Sequence, residues 1–138
     1  MKILCIDDEK NIRYILSEIF KNSKHEVHVL NVSAGLELYQ HSLLDELPFH
    51  IVFLDIKMPE RDGFDALKLM RMFDELKYGI YYSKIIMLSN INDNDSVLEA
   101  FKKQCDEFMK KPIDKDIILN KVNEIENLFM DSTDLKNK

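Results

Sequence analysis

A chain of 138 residues has room for one domain with a full hydrophobic core, and 46% apolar with 32% charged residues excludes a disordered one. A net charge of −6 argues against nucleic-acid backbone as the main partner. No apolar run approaches the roughly 20 residues a bilayer span needs, and Asp7 comes too early for a signal peptide, so a cytoplasmic location without membrane attachment is expected.

Lys2 to Ile6 is a short apolar run, the type that forms a strand covered on both faces. Ile12, Ile15, Leu16, Ile19 and Phe20 follow at helical spacing. Val27 to Leu30 reads as a second strand, and Ser33 offers an N-cap to a helix carrying Leu36, Tyr39, Leu43 and Leu47, broken by Pro48. Ile51 to Leu54 is the most strand-like run in the chain. A loop with Pro59 and Gly63 leads to a third helix, with Ala66, Leu69, Met70 and Phe73 on one side and an end before Gly79. Lys84 to Leu88 is a fourth strand, and Val97, Ala100 and Phe101 mark a fourth helix. Glu107 to Met109 is a brief fifth strand, and Asp114 caps a last helix with Ile118, Val122, Ile125 and Phe129, leaving Asp131 to Lys138 as a frayed polar tail or linker stub. This alternation predicts an α/β fold with a parallel sheet, right-handed crossovers and helices on both faces, within one domain over residues 1–130.

Cys5 and Cys105 form no CxxC pair and read as buried, reduced thiols; with four scattered histidines they make no zinc constellation. The informative polar residues lie at the carboxyl ends of the predicted strands, where open parallel sheets bind their ligands. Asp7, Asp8 and Glu9 follow the first strand, Asp55 the third, Ser89 the fourth and Lys111 the fifth. Carboxylates about 4 Å apart repel by roughly 4 kcal/mol at an effective dielectric near 20. A divalent cation relieves that repulsion, and an all-oxygen site suits Mg2+. Lys111 adds a second positive charge and Ser89 a hydroxyl, a set fitted to forming an aspartyl phosphate on Asp55.

The stretches Ile6-Asp7-Asp8-Glu9, Leu54-Asp55-Ile56-Lys57-Met58-Pro59 with Asp62-Gly63, Met87-Leu88-Ser89 and Phe108-Met109-Lys110-Lys111-Pro112 resemble those of bacterial two-component response-regulator receiver domains, over about residues 1 to 130. The resemblance is to the single-domain chemotaxis and sporulation type. It implies the flavodoxin-like strand order 2-1-3-4-5. It implies Asp55 as phosphoacceptor, with Mg2+ held by Asp7, Asp8, Asp55 and the Lys57 backbone carbonyl. Ser89 and Lys111 would grip the phosphoryl oxygens, Ser89 and Phe108 would form the switch, and the Lys111–Pro112 bond would be cis. The implied donor is a sensor histidine kinase or histidine phosphotransfer protein, docking near Tyr14, Ile15, Pro112 and Ile113. The implied output is a protein target on the face of the fourth helix, fifth strand and fifth helix. The chain would then be a signalling protein that catalyses only its own phosphotransfer and dephosphorylation, not an enzyme.

Simpler readings compete at each position. Asp7 and Asp8 could only cap the first helix, Asp55 could cap a turn, and Phe108 could be plain core. Two positions depart from the receiver pattern. Gln104 stands where the turn into the fifth strand favours a left-handed glycine, and Asn90 replaces a small residue after Ser89. The bulk of Asn90, with Lys57 and Ile91, predicts slow self-dephosphorylation. The alternatives are a receiver excised from a larger regulator or hybrid kinase, or a receiver-like domain working without phosphorylation. A haloacid-dehalogenase-type phosphatase would need a second Asp where Lys57 stands. A flavin binder would need a Ser/Thr-rich cradle where the chain has acids.

Overall fold

In the computed structural model, residues 1–56, 62–89 and 104–136 are described. Nine elements alternate along them: β1 (Lys2–Ile6), α1 (Lys10–Ile19), β2 (Glu26–Leu30), α2 (Val32–Leu44), β3 (Ile51–Ile56), α3 (Asp62–Tyr78), β4 (Lys84–Ser89), β5 (Glu107–Lys110) and α4 (Lys115–Lys136). The five strands are all parallel, in the order β2-β1-β3-β4-β5. The helix expected around Val97, Ala100 and Phe101 lies outside the described residues, as do Lys57, Pro59, Asn90 and Ile91.

Period-two alternation divides the sheet's side chains between two cores. Leu4, Ile6, Val52, Leu54, Ile85 and Met87 face α2 and α3, meeting Tyr39, Leu43, Leu67 and Met70. Ile3, Cys5, Ile51, Phe53, Ile86 and Leu88 face α1 and α4, meeting Leu16, Ile19, Ile118, Val122 and Ile125. Each fully buried aliphatic or aromatic side chain contributes about 1.5–3 kcal/mol, so continuous apolar runs become the central strands β1, β3 and β4. Gly35 lets α2 lie directly on β1, since a Cβ there would come within 2.7 Å of Ile6. The Cys5 thiol is buried and its pKa pushed up, which suits packing rather than reactivity.

Several local expectations are corrected. Asn31, not Ser33, caps α2: its side chain accepts from the Ala34 amide at 2.9 Å, because β2 ends at Leu30 and the chain must turn at once. That helix stops at Leu44, closed by Glu46 at φ 59, so Leu47 is exposed rather than part of the buried stripe. Ile15 is likewise exposed, because it lies about 100° around α1 from Leu16, off the buried arc. Leu69 also points outward. Glu46 is the one non-glycine residue with positive φ among those described, so Gln104 does not adopt the left-handed turn expected of it. The chain from Asp131 continues α4 to Lys136 instead of fraying.

A buried polar network joins α2, α3, β4 and β5 at the amino end of the sheet, and the sequence reading missed it. Arg71 is 2% exposed, and its guanidinium pairs with Asp106 at 2.8 Å and Asp74 at 3.3 Å. It also donates to the carbonyls of Ser83 at 2.8 Å and Gln104 at 2.5 Å. Asp74 takes the Tyr39 hydroxyl at 2.5 Å and the Tyr82 amide at 2.9 Å, and Asp106 takes the Ile85 amide at 2.8 Å. Burial first, then the Asp74 charge, raises the Tyr39 pKa, keeping it a neutral donor. The available signal was Tyr39 itself, since a tyrosine on an otherwise apolar helix face needs a polar partner.

Candidate functional site

Strand register decides which side chains meet at the carboxyl edge. Cys5 pairs with Phe53 and Ile6 with Leu54, so Asp7 comes level with Asp55, both pointing to the α1/α4 side like the odd-numbered residues before them. Asp55 pairs with Leu88, Leu88 with Met109, and Lys111 follows two residues later. The Lys111 ammonium forms an ion pair with Asp55 and stands 3.7 Å from Asp7. Asp7 is wholly buried and Asp55 is 5% exposed. The Lys111–Pro112 bond is cis, and the Lys111 amide donates to the Ser89 carbonyl at 3.0 Å.

Ser89 is buried at the end of β4, one residue past the Asp55–Leu88 pair. Its parity with Met87 places it toward the α2/α3 side. Phe108 is half-buried against that same core. Lys57 lies outside the described residues.

Asp8 departs from the expectation of three converging carboxylates. It lies past the end of β1 in a bend, is exposed, and accepts from the Val32 amide at 3.0 Å. Among the described residues no group of three or more His, Cys, Asp or Glu side chains is gathered closely enough to hold a metal. Neither aspartate caps α1: its N-cap Glu9 makes no side-chain capping bond, while Asp7 Oδ1 accepts from the Glu9 amide at 2.7 Å.

The facing oxygens Asp7 Oδ2 and Asp55 Oδ1 are buried without a hydrogen bond of ordinary geometry, although the Lys111 charge lies beside both. Burial raises the Asp7 carboxyl to about 7; the Glu9 amide opposes the rise, Asp55 adds to it and Lys111 opposes it. Two buried, hard oxygen donors without such a bond fit a small divalent cation, with Asp8 next in sequence.

A stability prediction follows in metal-free buffer. The folded-state pKa of this acid lies above its unfolded value of 3.8, so its contribution to stability is lost as pH rises from there through about 7. Asp7→Asn keeps the acceptor for Glu9 and offers its amide to Asp55. We expect it to be more stable than the native chain by about 1–3 kcal/mol at pH 8, with the difference shrinking toward pH 4. Urea melts in chelator at the two pH values check this; equal stability at pH 8 would refute it.

A parallel sheet in the order β2-β1-β3-β4-β5, with a lysine-paired carboxylate couple at its carboxyl edge, defines a flavodoxin-like α/β domain. The chain belongs to the family described as response regulator receiver domain, whose model matches residues 3–123. It is 35% identical over 119 residues to the chemotaxis protein CheY of Listeria monocytogenes, covering 86% of this chain and 92% of that one. CheY of Thermotoga maritima is 29% identical over 126 residues, covering 90% and 96%. Among solved structures, the BeF3-activated DrrB receiver domain superposes with a TM-score of 0.63 at 29% identity, covering 91% and 97%. The CheX-CheY-BeF3-Mg2+ complex from Borrelia burgdorferi gives a TM-score of 0.71 at 24% identity, covering 91% and 88%. The chain is therefore a phosphorylation-dependent signalling domain of two-component systems, a signalling protein rather than an enzyme. No helix among the described residues is long and apolar enough to cross a membrane.

Proposed function

We propose that Asp55 accepts a phosphoryl group from a phosphohistidine and that the acylphosphate so formed switches a protein-binding face. The observation that carries this reading is the convergence of Asp7, Asp55 and Lys111 at the carboxyl edge of the sheet. An Asp55 oxygen attacks phosphorus, the N–P bond breaks, and the imidazole leaves with the electron pair and takes a proton. Lys111 offsets negative charge on the transferring group, and the Ser89 hydroxyl donates to one of its oxygens. Mg2+ would be held by Asp7, Asp8, Asp55 and the Lys57 carbonyl, and when bound it neutralises charge as the phosphoryl group approaches. Supporting this, the Borrelia CheY complex was solved with BeF3 and Mg2+.

The donor is a sensor histidine kinase or histidine phosphotransfer protein. Tyr14 at 66% exposure, with exposed Ile15 and Pro112, provides a surface for it. The same chemistry catalyses the domain's own phosphotransfer and, with water, dephosphorylation. Ser89 moving toward the phosphate frees space for Phe108, altering the face of the predicted fourth helix, β5 and α4 on which a cytoplasmic target binds. The bulk of Asn90 slows hydrolysis, with Lys57 and Ile91 also influencing the rate. The domain spans residues 1–130, with residues 131–138 as a polar tail or linker stub.

Intact-mass measurement after incubation with acetyl phosphate tests the reading. With Mg2+ the chain gains one phosphoryl group, and with excess chelator it gains none. Labelling that is absent with Mg2+, or undiminished by chelator, would overturn the assignment.

A further inference from the structure

The second aspartate has two suitors. Asp8 Oδ1 accepts from the Val32 amide at 3.0 Å, and Val32 is the first residue of α2. The head of a helix carries unpaired amides and a partial positive charge. In α2 the Asn31 side chain takes the Ala34 amide at 2.9 Å and the Asn31 carbonyl takes Gly35 at 2.8 Å. The first turn contains no acidic residue of its own, so Asp8 supplies both the acceptor for Val32 and the negative charge the helix end favours. At the carboxyl edge, Asp7 Oδ2 and Asp55 Oδ1 are buried with the Lys111 charge but without a hydrogen bond of ordinary geometry.

We propose that the Val32 amide and the divalent cation compete for the Asp8 carboxylate, making the first turn of α2 a determinant of metal affinity. This rests on the reading that Asp7, Asp8 and Asp55 hold Mg2+. Asp8 is exposed and held through Oδ1 at the head of α2, apart from any gathered group of three carboxylates among the described residues, so turning its carboxylate toward the cation draws on the same group that Val32 holds. The coupling is reciprocal: whatever strengthens the hold of α2 on Asp8 weakens metal binding, and metal binding releases the first amide of α2 by the same factor. Val32 therefore acts as a positioning residue through its backbone, with no contact to the reacting atoms.

Proline isolates this term. It lacks the N–H and is well tolerated at the first position of a helix. The preceding Asn31 is already extended, at φ −76 and ψ 174, as the residue before a proline must be. Val32→Pro should bind Mg2+ about three- to tenfold more tightly than the native chain by isothermal titration calorimetry, as expected from losing one charge-assisted hydrogen bond near the surface. Val32→Ala trims the side chain but keeps the amide, and should bind Mg2+ like the native chain. In the native protein, saturating Mg2+ should shift the Val32 amide resonance and speed its hydrogen exchange.

If Mg2+ binds the native chain while the proline and alanine variants match in affinity, the competition is refuted and the metal site stands. Should the proline variant fail to fold, the native Val32 amide decides: a resonance and exchange rate unmoved by saturating Mg2+ overturn the proposal. If the native chain binds no Mg2+, the metal-site reading itself has failed.

Discussion

Arg71→Met is expected to destabilise the fold by about 3–5 kcal/mol, a loss that lowers the melting temperature by roughly 10 °C in a domain of this size. Methionine fills much of the same volume, so the loss is electrostatic. Without the guanidinium, Asp74 is a wholly buried carboxylate with no cation, and Asp106 keeps Lys84 at 3.9 Å as its nearest cation among the described residues. The carbonyls of Ser83 and Gln104 lose a donor as well. Tyr81, whose ring lies 4.5 Å from the guanidinium carbon, loses its cation. Adding Asp74→Asn to the methionine variant should recover part of the loss, because the stranded charge is then gone while an acceptor for the Tyr82 amide remains. Thermal melts of the two variants measure this. A single-variant loss below about 1 kcal/mol would show that the carboxylates do not depend on Arg71.

Asp55→Asn should abolish phosphoryl uptake from acetyl phosphate in Mg2+. The amide has no anionic oxygen to attack phosphorus, and the neighbouring Asp7 is oriented by the Glu9 amide and held within β1's extension rather than presented to solvent. The fold should survive, since the change is nearly isosteric and removes one of two buried carboxylates that face each other. Equal or higher stability alongside zero uptake identifies Asp55 as the acceptor. A variant that melts like the native protein and still gains a phosphoryl group would place the acceptor elsewhere.

The strands were legible because burial on both faces demands unbroken apolar residues: Ile51 to Leu54 could satisfy little else. Asp55 was legible for the complementary reason, as a charged residue directly after such a run must sit at the sheet's edge, whereas Lys111 was told from Lys110 only by the Pro112 that follows it. Element ends were less so. Ser33 and Asn31 are both good caps, and only the end of β2 at Leu30 selects between them. Leu47 and Ile15 fit apolar stripes by spacing, but the angle at which each helix meets the sheet leaves them outside.

Sequence alone determined the α/β alternation, the parallel sheet and the set of polar residues at its carboxyl edge, because hydrophobic periodicity and strand ends are local properties of a chain. Tertiary structure decided which of those residues meet. Register set Asp7 against Asp55 and brought Lys111 to both, while the bend after β1 left Asp8 at the head of α2. It also assembled the Arg71–Asp74 pair of α3 with Asp106 and Tyr39, 35 and 32 positions from Arg71, which no local pattern links. Contacts between distant segments depend on how layers stack, and that is settled only when the whole core closes.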